Sequence, residues 1–190
     1  MKDQRKITAL GKKTIRAEAA ALTEMAARID GRFAEAVGLL LAAKGKVIVT
    51  GVGKSGLIGQ KIAATLTSTG TPALFLHPTD ALHGDLGIVS KGDVALIISK
   101  SGGTDELCEL LTVLKRTGVR IVALLGSPDS PLAAQSDVVL DVGVKEEACP
   151  HDLVPTSSTT AALAMGDALA VALLDQRAFT PEDFACFHPG

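Results

Sequence analysis

Tryptophan and tyrosine are both missing from the 190 residues, which removes the side chains best suited to stacking on nucleobases. Charge of either sign is not in excess. The 19 basic and 21 acidic side chains leave a net of −2, with no overall pull toward nucleic acid or a membrane surface. Cysteine is sparse. Cys108, Cys149 and Cys186 have neither metal-site nor disulfide spacing, and a set this small and odd suits a reducing cytoplasm. No apolar run follows the basic amino terminus, so no signal peptide is readable. The longest apolar stretch, residues 161–174, is too short for a membrane span and contains Asp167. The expectation is a soluble, cytoplasmic protein.

What is present is apolar and periodic. Hydrophobic residues make up 47% of the chain, enough for one substantial core, and the length suggests one domain. Two Ala-, Leu- and Glu-rich segments, about 14–29 and 32–43, predict helices separated at Gly31. From residue 46 the texture changes to short apolar or β-branched runs at 47–49, 73–76, 94–98, 121–125 and 138–142. Helical patterns lie between several of them, such as Leu107, Leu110, Leu111 and Leu114 on one face. Strands apolar throughout and spaced by helices predict a five-stranded parallel sheet covered on both sides, a three-layer α-β-α sandwich. A near-uniformly apolar helix is expected over about 159–177. Thr180 and Pro181 then open a last turn of helix.

Two polar turns follow strands, Gly51-Val-Gly-Lys-Ser-Gly56 after the first and Ser99-Lys-Ser-Gly-Gly-Thr104 after the third. With a flavodoxin-like strand order, strands one and three are neighbours where the winding reverses, and both turns face one crevice. The first turn is not a Walker loop, because Ile48 takes the place of that motif's first glycine. Gly51, Gly53 and Gly56 do match dinucleotide spacing, but the second strand ends Leu74-Phe-Leu-His77 with no carboxylate for a ribose before Asp80. The second turn fits a single phosphate monoester better. Ser99, Ser101 and Thr104 carry hydroxyls, Gly102 and Gly103 free the backbone N–H groups, and a helix start adds its dipole. Thr104 by itself would be an ordinary helix cap; three hydroxyls and two glycines exceed that need.

Ser99, Ser101, Gly102 and Thr104 meet the Ser-x-Ser-Gly-x-Thr hallmark of the sugar isomerase (SIS) domain, which the chain resembles. More narrowly it is similar to the isomerase domain of the D-arabinose 5-phosphate isomerases, through Gly51-Val-Gly-Lys-Ser-Gly56, Ser68-Thr-Gly-Thr-Pro72, His83-Gly-Asp-Leu-Gly87, Glu147-Ala-Cys-Pro150, Pro155-Thr-Ser-Ser-Thr-Thr160, Met165-Gly-Asp-Ala-Leu169 and His188-Pro-Gly190. These words run over nearly the whole chain. The resemblance implies interconversion of D-arabinose 5-phosphate and D-ribulose 5-phosphate through an enediol, at the entry to Kdo and lipopolysaccharide synthesis. It also implies a homotetramer whose active sites are shared between subunits.

The resemblance carries the family's functional positions onto Lys54, His83, Glu106, Glu147 and His188, and its substrate contacts onto Gly53, Ser55, Gly70, Thr71 and the hallmark residues. From the residues alone, Lys54 at a helix start opposes the dipole, so an idle lysine is disfavoured there. Glu106 would pass as a dipole-complementing acid beside Asp105, and Glu147 as part of a solvated charge run with Lys145 and Glu146. His83 lies between Asp80 and Asp85, which could set its tautomer. His188, three residues from the end, would pass as a tail; in the family it reaches the active site, with a neighbouring subunit as one source. His77 matches a metal position of some relatives, making Zn²⁺ a candidate cofactor that acid–base enediol chemistry does not require. The expected organisation is one domain over 1–190, with helices at 1–45, the sandwich at 46–178 and a tail at 179–190 reaching the active site. Relatives continue into paired CBS modules, and the chain is expected to be the isomerase domain without them. The competing expectation is a sugar-phosphate sensor that binds without turnover, although the segment before the first strand carries no basic face for DNA.

Overall fold

The computed structural model describes residues 3–189. Five parallel strands, β1 (Val47–Gly51), β2 (Ala73–Phe75), β3 (Val94–Ser99), β4 (Arg120–Leu125) and β5 (Val138–Asp141), form one sheet in the order β2-β1-β3-β4-β5. The winding therefore reverses between β1 and β3, the expected neighbours. Each apolar run alternates its side chains between two separate cores, which is why the strands read as hydrophobic throughout. Val47, Val49, Leu96, Ile98, Val122 and Leu124 face one layer. Ile48, Ala95, Ile97, Ile121, Ala123 and Leu125 face the other.

The first layer holds α1 (Gln4–Ala27), α2 (Gly31–Leu41), α3 (Gly53–Ser68) and α7 (Ser157–Gln176). The second holds α4 (Pro78–Leu82), α5 (Asp105–Arg116) and α6 (Pro131–Gln135), with Leu107, Leu110, Leu111 and Leu114 as the buried face of α5. Helix α8 (Pro181–Phe187) ends the described chain. By length and composition α7 could cross a membrane, but it packs here against α1, α2 and α3. Gly166 lets α3 come close: a Cβ there would lie 2.3 Å from Ile62 Cδ1.

Helix α1 starts ten residues before the expected position. Asp3 caps it, accepting from the Arg5 N–H at 3.0 Å. Residues 4–13 are all exposed, so they carry helix-forming composition without the apolar stripe that periodicity detects. Helices α4 and α6 are five residues each, too short for a periodic signal, and each begins with proline.

A buried carboxylate ties the amino ends of β1 and β3 together. Asp93 accepts from the Lys46 N–H (2.9 Å), the Lys46 ammonium (2.9 Å) and the Ser90 N–H (2.8 Å), and its side chain is fully buried. Burial pushes its carboxyl up, but those N–H donors and the ammonium together hold it below the usual carboxylate range. Asp93→Ala leaves the N–H groups and the lysine without their acceptor. The expected loss is about 3 kcal/mol or more by urea unfolding, with substrate affinity unchanged in the surviving folded protein.

Candidate active site

The carboxyl ends of β1 and β3 both release the chain into helices that begin without side-chain caps. Val52 precedes α3 and has no polar atom to cap with. Thr104 occupies the cap position of α5, yet its hydroxyl makes no capping bond. The backbone N–H groups of Asp105 and Glu106 have no protein partner among the described residues. They are donors left for a ligand, at the positive end of a helix.

The turn between β3 and α5 is held in shape from behind. Gly102 has φ +66°, and its carbonyl accepts from the Leu132 N–H at 3.0 Å. The Ser99 Oγ accepts from the Gly102 N–H at 3.0 Å and lies 3.5 Å from Thr104 Oγ1. Ser99 is thus buried and already engaged, so it frames the turn. Ser101 is exposed, and its Oγ accepts only a 3.3 Å contact from the Gly103 N–H. Of the three hydroxyls expected to meet a ligand, Ser101 and Thr104 remain the available ones.

Two adjoining hollows lie over this switch point. One, of about 350 Å³, is lined by Ser55, Ser99, Lys100, Ser101 and Thr104. The other, of about 220 Å³, is lined by Lys54, Ser55, Ser99, Lys100, Ser158 and Thr159. A larger hollow of about 770 Å³ sits elsewhere, between α3 and the edge strand β2, and no ionisable side chain lines it. Another, of about 370 Å³, is lined by Lys13, Glu146, Glu147, Cys149, His151 and Asp152.

Glu147 is buried beside them, contrary to the solvated run its neighbours suggest. Its carboxylate accepts from the Lys100 ammonium (2.7 Å), the Thr156 N–H (2.8 Å), the Ser158 N–H (3.1 Å) and the Ser158 hydroxyl. It therefore caps the amino end of α7, whose own cap residue Thr156 directs its hydroxyl to the Ala148 N–H and to Glu147. Burial pushes the carboxyl up. Lys100 and Ser158, followed by the two N–H donors, more than reverse this and lower it to about 2. The Glu147 N–H is fixed in turn by Asp152 Oδ1 at 2.6 Å. Cys149 steadies the same loop: its Sγ accepts from the Val154 and Leu153 N–H groups, which pull the thiol down.

The profile of the SIS domain matches residues 40–172. The chain belongs to the SIS domain family. Arabinose 5-phosphate isomerase KdsD of Pseudomonas aeruginosa is 54% identical over 178 residues, covering 94% of this chain and 55% of that protein. The chain thus spans about half the length of the curated relatives it matches. Among solved structures, an E. coli CFT073 protein in complex with arabinose 5-phosphate superposes with a TM-score of 0.95 at 41% identity, covering 98% of this chain and all of that one. A putative sugar-phosphate isomerase from Listeria monocytogenes gives 0.96 at 32% identity, with both chains fully covered.

Lys54, Ser55, Ser99, Ser101 and Thr104 line one crevice, with Gly53 starting α3 at φ +58°; Gly102 shapes the turn, and Glu147 is buried behind Lys100 and Ser158, lining a separate hollow with Lys13, His151 and Asp152. His83 and Glu106 stand exposed at the same end of the sheet but line neither hollow, and the His83 ring bonds to neither the Asp80 nor the Asp85 carboxylate. Gly70, Thr71 and His188 go elsewhere. Gly70 and Thr71 precede β2, at the opposite end of the strands. Phe179 covers Gly70, Arg177 Nε donates to Thr71 Oγ1 at 3.1 Å, and His188 stacks on Phe184 at 3.8 Å between ring centroids. The expectation that the tail reaches the active site does not hold within one chain, because α8 docks by Phe179 and Phe187 beside Gly70 instead. His77 meets Phe75 edge-on, and among the described residues no three His, Cys, Asp or Glu side chains form a metal-sized group. The sequence reading assigned no role to Lys100 or Ser158; both lie inside quoted family words, where only their partners would have flagged them.

Proposed function

We propose that this domain interconverts D-arabinose 5-phosphate and D-ribulose 5-phosphate by proton transfer through a 1,2-enediol. The observation that carries the reading is the convergence, at one switch point, of a phosphate-sized cradle, an ammonium and a buried carboxylate. The names of the relatives supply the sugar. In this reading the phosphate is held by the Ser101 and Thr104 hydroxyls and the first N–H groups of α5. Glu147 takes the proton from C2 of the open aldose, Lys54 faces the oxyanion developing at C1, and the proton returns to C1. His83 and Glu106 serve the hydroxyl protons, with Gly53 and Ser55 closing the near wall. His188 enters from a neighbouring subunit of a homotetramer, consistent with its exposed place at the far end of this chain, while Gly70 and Thr71, covered by Phe179 and Arg177, seat the tail that carries it. Run in the opposite direction, the reaction yields arabinose 5-phosphate, which would enter Kdo synthesis in the cytoplasm.

One observation favours a second reading. A carboxylate clamped at about 2 is a weak base, as a sensor that binds without turnover would permit. Incubation with arabinose, ribulose and ribose 5-phosphates, read by ketose colour and by calorimetry, separates the two. Conversion confined to the arabinose–ribulose pair is the expected result. Saturable binding of arabinose 5-phosphate without conversion would leave only the sensor.

A further inference from the structure

We propose that Lys100 is a positioning residue that couples the phosphate cradle to Glu147, holding the carboxylate while the cradle is empty and moving to the phosphate when a sugar phosphate binds. The proposal rests on the functional reading above for the ligand's phosphate. Lys100 occupies the variable position between the two serines of the SIS hallmark, and it is the charged side chain common to both hollows. On one side lie Ser101 and Thr104; on the other lie Lys54 and Ser158.

Its ammonium is 2.7 Å from Glu147 Oε1, yet the two partners are held very differently. The Glu147 side chain is 0% exposed and the Lys100 side chain 54%. Gly126 packs directly against the Lys100 backbone, where a Cβ would lie 2.6 Å from the Lys100 carbonyl oxygen. Four rotatable methylenes therefore supply the movement. A phosphate dianion in the neighbouring hollow, which Lys100 also lines, offers twice the charge of the carboxylate.

Departure of the ammonium does not orphan Glu147. Oε1 keeps the Ser158 hydroxyl, and Oε2 keeps the Thr156 and Ser158 N–H groups. Other charges facing it stay in place: Asp152 and Glu146 on its own loop, Lys13 and His151 around the hollow behind, and Lys54 across the cavity. What is lost is one cation in contact, and with it the strongest restraint on the carboxylate's basicity. The base would thus strengthen only once phosphate is seated. This reconciles a carboxylate clamped by Lys100 with one asked to remove a carbon-bound proton.

Crystals grown at neutral pH with and without inorganic sulfate test the movement directly. The expected result is sulfate in the Ser101–Thr104 cradle, with Lys100 Nζ on a sulfate oxygen and withdrawn from Oε1. Sulfate absent from the cradle, or present with the Lys100–Glu147 pair intact, overturns the proposal. Kinetics give a second arm. In Lys100→Met the acid limb of kcat/KM, which reports the free enzyme, should move up by about one unit or more, while that of kcat stays put. KM should rise about tenfold, and Lys100→Arg should restore both. Equal displacement of both limbs would also sink the coupling. Absence of any isomerisation would refute the functional reading alone, because the crystallographic arm needs no turnover.

Discussion

Glu147→Gln is expected to lower kcat by about 10²–10⁴-fold while changing KM for arabinose 5-phosphate by only a few-fold. The amide keeps the shape of the side chain, and with its oxygen at the Oε1 position it still accepts from Lys100 and the Ser158 hydroxyl, but its NH2 cannot accept from the Thr156 and Ser158 N–H groups and the side chain cannot take a proton from carbon. Exchange of the C2 hydrogen with deuterated water should fall in step. Turnover within a factor of three of wild type would remove Glu147 from the chemistry. The same substitution has a pH signature in stability. The folded-state value lies near 2 and the ordinary one at 4.5, so the carboxylate stabilises the fold fully above about pH 5. That contribution, on the order of 3 kcal/mol, is lost as the pH falls from 4.5 toward 2. Wild type should therefore lose stability over this range by that much more than the variant does.

Gly102→Ala should abolish phosphate binding more thoroughly than loss of either free hydroxyl. The residue sits at φ +66°, where a Cβ costs about 1–2 kcal/mol. That Cβ would also lie 2.0 Å from Ser130 Oγ, which caps α6. Ser130 is buried, so the turn must yield, and with it the direction of the N–H groups at the start of α5. Calorimetry with arabinose 5-phosphate should show at least a hundredfold weaker affinity, against about tenfold for Ser101→Ala. Equal losses in the two variants would mean that the hydroxyls, and not the backbone, carry the anion.

The sheet was legible because each strand feeds two cores and so shows no polar face. Strand order came from the assumed winding, and the two glycine turns then fell side by side as they must. The site was legible only where its chemistry is local. Ser101, Gly102 and Thr104 point to a cradle because all three lie within one turn. Glu147 does not, because its donors come from Thr156, Ser158 and Lys100, far along the chain, and its immediate neighbours are exposed charges. The place of the tail within one chain was hidden for a similar reason. Phe179 and Phe187 bind α8 to Gly70 through contacts that no nearby periodicity records.

Helices α3 and α5 begin bare at the crevice, and each forgoes about 1 kcal/mol that an ordinary serine or aspartate cap would supply. Natural variants whose residue 104 turned its side chain back to cap α5 would be sturdier proteins and poorer receptors for an anion. Selection for heat resistance and selection for appetite thus pull in opposite directions at the same few peptide groups.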